Sequence, residues 1–261
     1  MQPIIPFLRR FLFTLTHGAA LMSYGVLTQR GRDRLKEVAA VFGYPRPRTA
    51  LPRVTLEKLS PDPGPVELVG LARTRHNVNV FELMVLCRLA KWMKPHRIFE
   101  FGTYDGRTTL NLAVNTPPHT RILTLDLAPA GSHVPSGGIV GERYLGTSHA
   151  ERIQQLVGNS LEFDFGPYEG TVDMVFIDAG HAYPSVLRDT QVAARLIRKE
   201  GGVIVWHDYR AIDGVTLCLD GMAARGGMWS SMCHLDETRL AILDTRKGAD
   251  SPPGGSTSRS P

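Results

Sequence analysis

The sequence contains few of the residues that mark disulfide-stabilised or zinc-finger proteins. Its 261 residues include three cysteines, Cys87, Cys218 and Cys233. Their number is odd and their spacing matches no zinc finger, so neither a disulfide framework nor a structural zinc site is supported. We therefore expect a reducing compartment and predict a cytoplasmic protein. Charged residues at 21% and hydrophobic residues at 43% also exclude a largely disordered chain and a polytopic membrane protein.

A long uninterrupted apolar run is missing as well. Residues 11–28 carry no charge, but histidine, glycine, serine and threonine dilute them. No small-residue cleavage site follows a clean apolar core, which disfavours both a membrane span and a secretory signal. Phe11, Leu15, Ala19 and Met22 recur at helical spacing. This pattern predicts an amphipathic helix that lies on the protein, on a partner subunit or on a membrane surface.

Positive charge is concentrated near the N-terminus. Residues 1–60 contain ten Lys and Arg against three Asp and Glu, a net charge of +7, whereas the remaining chain contains twenty against twenty-two. A nucleic-acid enzyme more often spreads basic side chains over its catalytic domain, so we expect no nucleic-acid partner. We predict that residues 1–40 make a peripheral membrane contact or a subunit contact, including contact within a homo-oligomer. A solvated helix is the alternative.

Proline-dense stretches divide the chain. Residues 44–48 and 60–65 carry prolines too closely spaced for a helix or a central strand. The residues after Gly248 are mostly glycine, serine and proline, and they cannot offset the entropy cost of becoming ordered. We therefore predict three regions: a basic helical segment with a Pro-rich linker over 1–64, a folded domain over 65–247 and a disordered tail over 248–261.

Strand and helix signals alternate within the folded domain. Strands are predicted over 97–102, 121–127, 153–158, 172–178 and 202–208, and helices over 81–92, 107–113 and 185–198. This alternation predicts an α/β fold with a doubly wound, mostly parallel Rossmann-like sheet of about seven strands. Two β-rich runs, 229–235 and 239–244, predict a C-terminal hairpin that gives the sheet a reversed edge strand.

The residues that follow the first predicted strands indicate a nucleoside site. Ligands of doubly wound sheets bind outside the carboxyl ends of the strands. Gly102 and Gly106 bracket the turn after the strand that contains Glu100, and the sequence lacks the G-x-G-x-x-G fingerprint, which disfavours a nicotinamide dinucleotide. Asp126 ends the next strand, where a carboxylate can accept both hydroxyls of a ribose. Asn159, after the third strand, can present polar groups to an adenine edge.

These motifs give the chain its family resemblance. FEFGTYDGRTT, LTLDL, VGNS, VDMVFIDAGHAY and GGVIVWHDY occur in the order found in class I S-adenosylmethionine-dependent methyltransferases, and the chain most resembles their sugar and macrolide O-methyltransferase branch. The resemblance implies S-adenosyl-L-methionine as the cofactor and a hydroxylated small molecule as the acceptor. It also implies a set of cofactor-binding residues: Glu100, Gly102, Thr103, Gly106, Asp126, Asn159 and Ser160.

A second cluster concerns the acceptor. Asp178 and Asp208 end adjacent predicted strands, close enough to share a divalent cation. The resembling O-methyltransferases place Mg²⁺ here, but His207 stands where a second acidic residue is frequent. This departure weakens a purely oxygen-ligated Mg²⁺ site and leaves manganese, iron or no metal open, with His207 as a further candidate ligand. His181, three residues after Asp178, is the candidate general base, since its ordinary pKa suits proton removal near neutral pH. Asp178 and His181 are therefore the predicted catalytic residues.

Two other functions remain open at this point. One is a hydroxylase-like oxidoreductase that uses the metal site of the same fold without transferring a methyl group. The other is a non-catalytic nucleoside-binding scaffold docked by its basic N-terminal helix. The sequence identifies neither the acceptor nor the oligomeric state.

Overall fold

A computed structural model of the protein describes residues 4–28, 50–72, 76–133 and 138–246. The chain divides into two compact units, residues 1–48 and residues 49–261. Residues 44–48 and the predicted tail over 248–261 lie outside the described residues. The division falls before Thr49, so residues 49–64, which the sequence analysis assigned to the linker, belong to the second unit.

The first unit contains one described helix, α1 (Ile4–Leu27). This confirms that the uncharged stretch is helical. Its exposed side chains include Leu15, Met22 and Leu27, the last at 80% exposure. No helix in the described part of the chain combines the length and the apolar character needed to cross a membrane.

The second unit is built on an eight-stranded sheet in the order β1-β7-β8-β6-β5-β2-β3-β4. The strands are β1 (Arg53–Val54), β2 (Arg97–Phe101), β3 (Arg121–Asp126), β4 (Ile153–Val157), β5 (Met174–Ile177), β6 (Val203–Trp206), β7 (Cys233–Leu235) and β8 (Ala241–Asp244). The helices are α2 (Leu56–Leu59), α3 (Val80–Met93), α4 (Arg107–Val114), α5 (Tyr183–Leu196) and α6 (Asp213–Ala224).

Among the strands of the described residues, β8 alone runs against its neighbours, β6 and β7, and the other strand pairs are parallel. The predicted α/β class and C-terminal hairpin are confirmed. The eighth strand comes from the linker: Val54 is buried, and the carbonyl of Pro52 accepts a hydrogen bond from the N–H of His234 at 2.8 Å. Arg53 and Val54, which form β1, thereby extend the sheet beyond the hairpin.

The strands read as continuous apolar runs because helices cover both faces of the sheet. Phe99, Phe101 and Ile204 pack into one core, and Ile98 and Phe176 pack into the other. Helix α3 closes the second core and begins at Asn79, whose side chain accepts a hydrogen bond from the N–H of Glu82 at 2.9 Å. The cap fixes where this helix starts, and with it the position of Glu82.

Two local predictions differ from the structure. Residues 229–231 were expected to be strand but belong to a 3₁₀ helix, Gly227–Ser231, so β7 begins only at Cys233. Helix α6 was not predicted, because Gly214 and Gly221 weaken its helical signal. Gly214 has a steric role, since a Cβ there would overlap the backbone oxygen of His181. The glycine therefore lets α6 pack closely against the segment that carries the predicted base.

Candidate active site

One cleft of about 730 Å³ opens at the carboxyl ends of the central parallel strands. The side chains that line it follow β2, β3, β4, β5 and β6, because the ends of parallel strands meet at one edge of a sheet. Of the predicted site residues, Gly102, Thr103, Asp126, Asn159, Ser160, Asp178, His181, His207 and Asp208 line the cleft, whereas Glu100 and Gly106 do not. The volume lies within the range of small-molecule sites.

The turn after β2 needs its first glycine for two reasons. Gly102 has a φ of 92°, a left-handed conformation that side chains rarely adopt. A Cβ at this position would also overlap the backbone oxygen of Asp178. Gly106 begins α4 with a φ of 78°, and a Cβ there would come within 2.6 Å of the Tyr144 ring. Gly102 thus lets β2 and β5 converge at the cleft, and Gly106 packs beneath it.

Asp126 holds the turn in place. Its Oδ2 accepts hydrogen bonds from the backbone N–H groups of Thr103 at 3.0 Å and Tyr104 at 2.9 Å. Its Oδ1 accepts one from the N–H of Leu127 at 2.7 Å. Because the carboxylate also lines the cleft, it connects the shape of the turn to any ligand bound beside it.

Glu100 lies behind the cleft and is 1% exposed. Thr109 and Thr124 donate hydrogen bonds to its Oε2, and its Oε1 has no partner among the described residues. Burial raises the pKa of Glu100 to about 8; the two threonine hydrogen bonds act in the opposite direction, and the negative charges of Asp178 and Asp126 add to the increase. This carboxyl group is linked to the cleft through Thr124, whose hydroxyl also lies 2.7 Å from the hydroxyl of Thr103.

Two carboxylates and an imidazole meet at the ends of β5 and β6. Asp178 Oδ1 lies 3.2 Å and Asp208 Oδ1 lies 3.5 Å from Nδ1 of His207. One ligand atom from each of these three residues can be chosen so that all lie within 4.8 Å of one another. Asp208 adopts a φ of 60°, an unusual value for a side chain other than glycine, which turns it into the cleft.

His207 is held from the opposite side by Glu82, which the sequence analysis did not single out. Nε2 of His207 lies 3.1 Å from Oε2 of Glu82, and both side chains are buried. Burial lowers the pKa of His207, but its contacts with the carboxylates of Asp178, Asp208 and Glu82 raise it overall to about 12. Burial raises the pKa of Glu82. Its contact with His207, together with the hydrogen bond and positive charge of Arg239, nevertheless holds this pKa below its usual value.

His181 completes the cluster on the open side of the cleft. Its Nε2 lies 3.0 Å from Asp208 Oδ2 and 3.7 Å from Asp178 Oδ1, and 40% of its side chain is exposed. Its contacts with the carboxylates of Asp178 and Asp208 raise its pKa to about 9 against an opposing effect of burial. The same contacts, together with His207, hold the pKa values of both carboxyl groups low although burial raises them. The two imidazoles and the two carboxylates therefore form one coupled charge network.

Comparison with known proteins identifies the family. Residues 99–209, which contain all of these strand ends, match the model of a methyltransferase domain. A catechol O-methyltransferase of Mycobacterium tuberculosis (strain ATCC 25618 / H37Rv) is 34% identical over 170 residues, which cover 63% of this chain and 73% of the relative. The chain belongs to the S-adenosylmethionine-dependent O-methyltransferases. The resemblance to class I small-molecule O-methyltransferases is thereby confirmed.

Solved structures support the fold of this methyltransferase. Cofactor-bound Rv0187 from MTB superposes with a TM-score of 0.52 at 24% identity, covering 67% of this chain and 84% of that one. An O-methyltransferase from Bacillus cereus in complex with SAH superposes with a TM-score of 0.50 at 18% identity, covering 66% and 84%. These proteins share the sheet whose strand ends build the cleft.

The methyltransferase cleft also contains residues that no sequence pattern indicated. Arg239 lines it from the turn between β7 and β8, with Nη1 3.7 Å from Asp208 Oδ1. Asn77 donates a hydrogen bond to Asp105 at 2.9 Å and brings the segment before α3 to the cleft wall. The positions of both residues depend on tertiary packing, and no local pattern could have indicated them.

Proposed function

We propose that this methyltransferase acts on a hydroxyl oxygen of a small molecule, with His181 as general base and a divalent cation held by Asp178, His207 and Asp208. The observation that carries the proposal is the position of His181, which is half-exposed in the cleft while its Nε2 faces both carboxylates. A base in this place can reach an acceptor that enters from solvent.

The cleft has the features that S-adenosylmethionine requires. Asp126 offers a carboxylate for ribose hydroxyls, and Asn159 with Ser160 offers polar groups one strand further on. Glu100 carries a buried oxygen without a partner among the described residues, just beneath the turn. When bound, S-adenosylmethionine supplies the methyl group: its sulfur–carbon bond breaks with the electron pair passing to sulfur, while the acceptor oxygen forms the new carbon–oxygen bond.

The residues around the three ligand atoms also fit a cation. Nδ1 of His207 makes no aligned hydrogen bond within the described structure although two carboxylate oxygens lie near it. Such an arrangement suits an ion between the three groups better than direct hydrogen bonds. When bound, the cation would lower the pKa of an acceptor hydroxyl and orient it.

The chain's own residues then control the acceptor proton. His181 must be neutral to accept it, whereas its pKa of about 9 keeps it protonated near neutral pH when Asp178 and Asp208 are uncompensated. A cation bound between these carboxylates would compensate their negative charge. The protonated form of His181 would then be less stabilised, and the pKa of the imidazole would return toward its ordinary value. Because Nε2 of His181 faces the carboxylates, the hydroxyl proton passes to the other ring nitrogen, Nδ1, as the acceptor oxygen attacks the methyl carbon.

For the acceptor, we propose a compound with two neighbouring hydroxyl groups. The 34% identical relative is a catechol O-methyltransferase, and paired oxygens can occupy two positions on a cation beside the base. The test is incubation with S-adenosylmethionine labelled in the methyl group, a panel of catechols, glycosides and monohydroxy compounds, and mass spectrometry of the products. A labelled methyl ether is expected first among the catechols. Oxygen insertion without a labelled methyl group would instead support the hydroxylase-like alternative.

For the N-terminal segment, we propose a peripheral contact of a cytoplasmic enzyme with an anionic membrane. The support is the net charge of +7 in residues 1–60 together with exposed apolar side chains of α1 such as Leu15 and Met22. Flotation with vesicles containing anionic lipid tests the full chain against a chain lacking residues 1–48. Equal binding by both would refute the proposal, and a change of mass in solution would indicate a subunit contact.

A further inference from the structure

Of the three carboxylates that contact His207 in the described structure, Glu82 is the one that comes from a helix and not from the end of β5 or β6. It lies in the first turn of α3, is 1% exposed and uses both of its carboxylate oxygens. Oε1 accepts a hydrogen bond from the backbone N–H of Arg239 at 2.7 Å, and Oε2 lies 3.1 Å from Nε2 of His207. The cost of burying this charge is offset by these two contacts, which fix the carboxylate in one orientation.

This arrangement determines which nitrogen of His207 faces the cleft as an electron-pair donor. An ionised carboxylate can only accept hydrogen bonds, so Nε2 must carry the hydrogen. In the neutral ring Nδ1 is then unprotonated, and Nδ1 is the atom that lies 3.2 Å and 3.5 Å from the two aspartate oxygens. A carboxylate behind a histidine is the usual means by which proteins orient a metal-binding imidazole.

We propose that Glu82 is a positioning residue that makes His207 Nδ1 a cation ligand, and that the resulting nitrogen and oxygen donors select a transition-metal ion such as Mn²⁺ over Mg²⁺. The inference rests on the proposed function, because it concerns the cation of the same site. Mg²⁺ prefers oxygen donors throughout, whereas Mn²⁺ binds the same oxygen donors and also accepts an imidazole nitrogen, as other first-row transition ions do. Binding of the ion at Nδ1 releases any proton held there.

The Glu82→Gln substitution separates this role from simple packing. The amide keeps the size of the side chain, and its oxygen is required by the N–H of Arg239, so its NH₂ group must face His207 Nε2. In the neutral ring, Nε2 of His207 then accepts a hydrogen bond from this amide, and the ring hydrogen moves to Nδ1, where it blocks the ion. We expect the Mn²⁺ affinity to fall roughly 10- to 100-fold and the coupling of bound Mn²⁺ to a histidine nitrogen to weaken.

The experiment titrates the full chain with Mn²⁺ and with Mg²⁺ by calorimetry and records pulsed EPR of the Mn²⁺ form. Wild-type protein should bind Mn²⁺ more tightly and show coupling to a histidine nitrogen. His207→Asp should abolish that coupling and reduce the preference for Mn²⁺. Glu169→Gln, which removes an exposed ion pair with Arg195, is the control and should match wild type.

Three outcomes would overturn the inference: equal affinity for the two ions in wild type, no nitrogen coupling in wild type, or unchanged Mn²⁺ affinity and nitrogen coupling in a folded Glu82→Gln protein. If that variant does not fold, His207→Asp and the wild-type spectrum decide the question. SAH binding and methyl transfer are measured on the same samples. Methyl transfer with no preference for Mn²⁺ would support the proposed function and refute the inference about Glu82 and His207. Mn²⁺ binding through nitrogen without methyl transfer would support that inference and refute the proposed function.

Discussion

Replacing Gly102 with alanine tests how β2 and β5 converge at the cleft. The left-handed φ of 92° costs a side chain roughly 1–2 kcal/mol. The added Cβ would also overlap the backbone oxygen of Asp178, and forcing an extra carbon into a packed site costs about 1–3 kcal/mol. Together these effects predict a loss of about 2–5 kcal/mol in the free energy of unfolding, together with weaker SAH binding because Asp178 and the turn are displaced.

Gly131→Ala is the matched control. Gly131 has a similar φ of 85°, but nothing lies within 4 Å of its Cβ position. Its loss should therefore be limited to the conformational cost of about 1–2 kcal/mol. Urea denaturation measures both free energies, and calorimetry measures SAH affinity. Equal losses in the two variants, with unchanged SAH affinity in Gly102→Ala, would refute the steric argument.

Three further predictions follow from other contacts of the site. Asp126→Ala should weaken SAH binding by about 1.5 to 3 kcal/mol in calorimetry, and a folded variant with wild-type affinity would contradict this. The substitution should also lower stability, because the N–H groups of Thr103 and Tyr104 lose their acceptor. Since the pKa of Glu100 is raised from 4.5 to about 8, its stabilising effect is complete below pH 4.5 and disappears as the pH rises to about 8. Glu100→Gln should therefore lose less stability than wild type between pH 5 and pH 8 in urea unfolding, and parallel curves would refute the assignment. In cation-free protein, the rate of methyl transfer should rise with pH through about 9, the raised pKa of His181, because the base must be neutral. Adding Mn²⁺ should move this rise to lower pH, and a pH profile that the cation leaves unchanged would contradict the charge coupling between His181 and the two carboxylates.

The sequence sufficed to predict most of the cleft because its residues directly follow strands. Asp126, Asp178 and Asp208 each stand at or just after the end of a continuous apolar run, and parallel strands must place such ends together. The order of motifs then led to the family. Glu82 could not be found in this way, since its contact with His207 depends on how α3 packs against the sheet.

Side-chain direction accounts for another difference. Glu100 precedes the end of β2 by one residue, and side chains of a strand alternate between its two faces. Its carboxyl group points to Thr109 and Thr124 and does not line the cleft, although the motif implied direct cofactor contact. The two-residue strand β1 and helix α6 were missed because a pair of residues has no period and two glycines weaken a helical pattern.

The most direct test of the central claim is the single-turnover rate of methyl transfer in His181→Ala, measured at pH 7.5 and pH 10 with SAH affinity determined in parallel. His96→Ala, an exposed histidine at the amino end of β2, is the control. The account predicts unchanged SAH affinity, a rate lowered roughly 10²- to 10⁴-fold at pH 7.5, and partial recovery at pH 10, where the acceptor ionises without help. A wild-type rate in His181→Ala at pH 7.5 would contradict it.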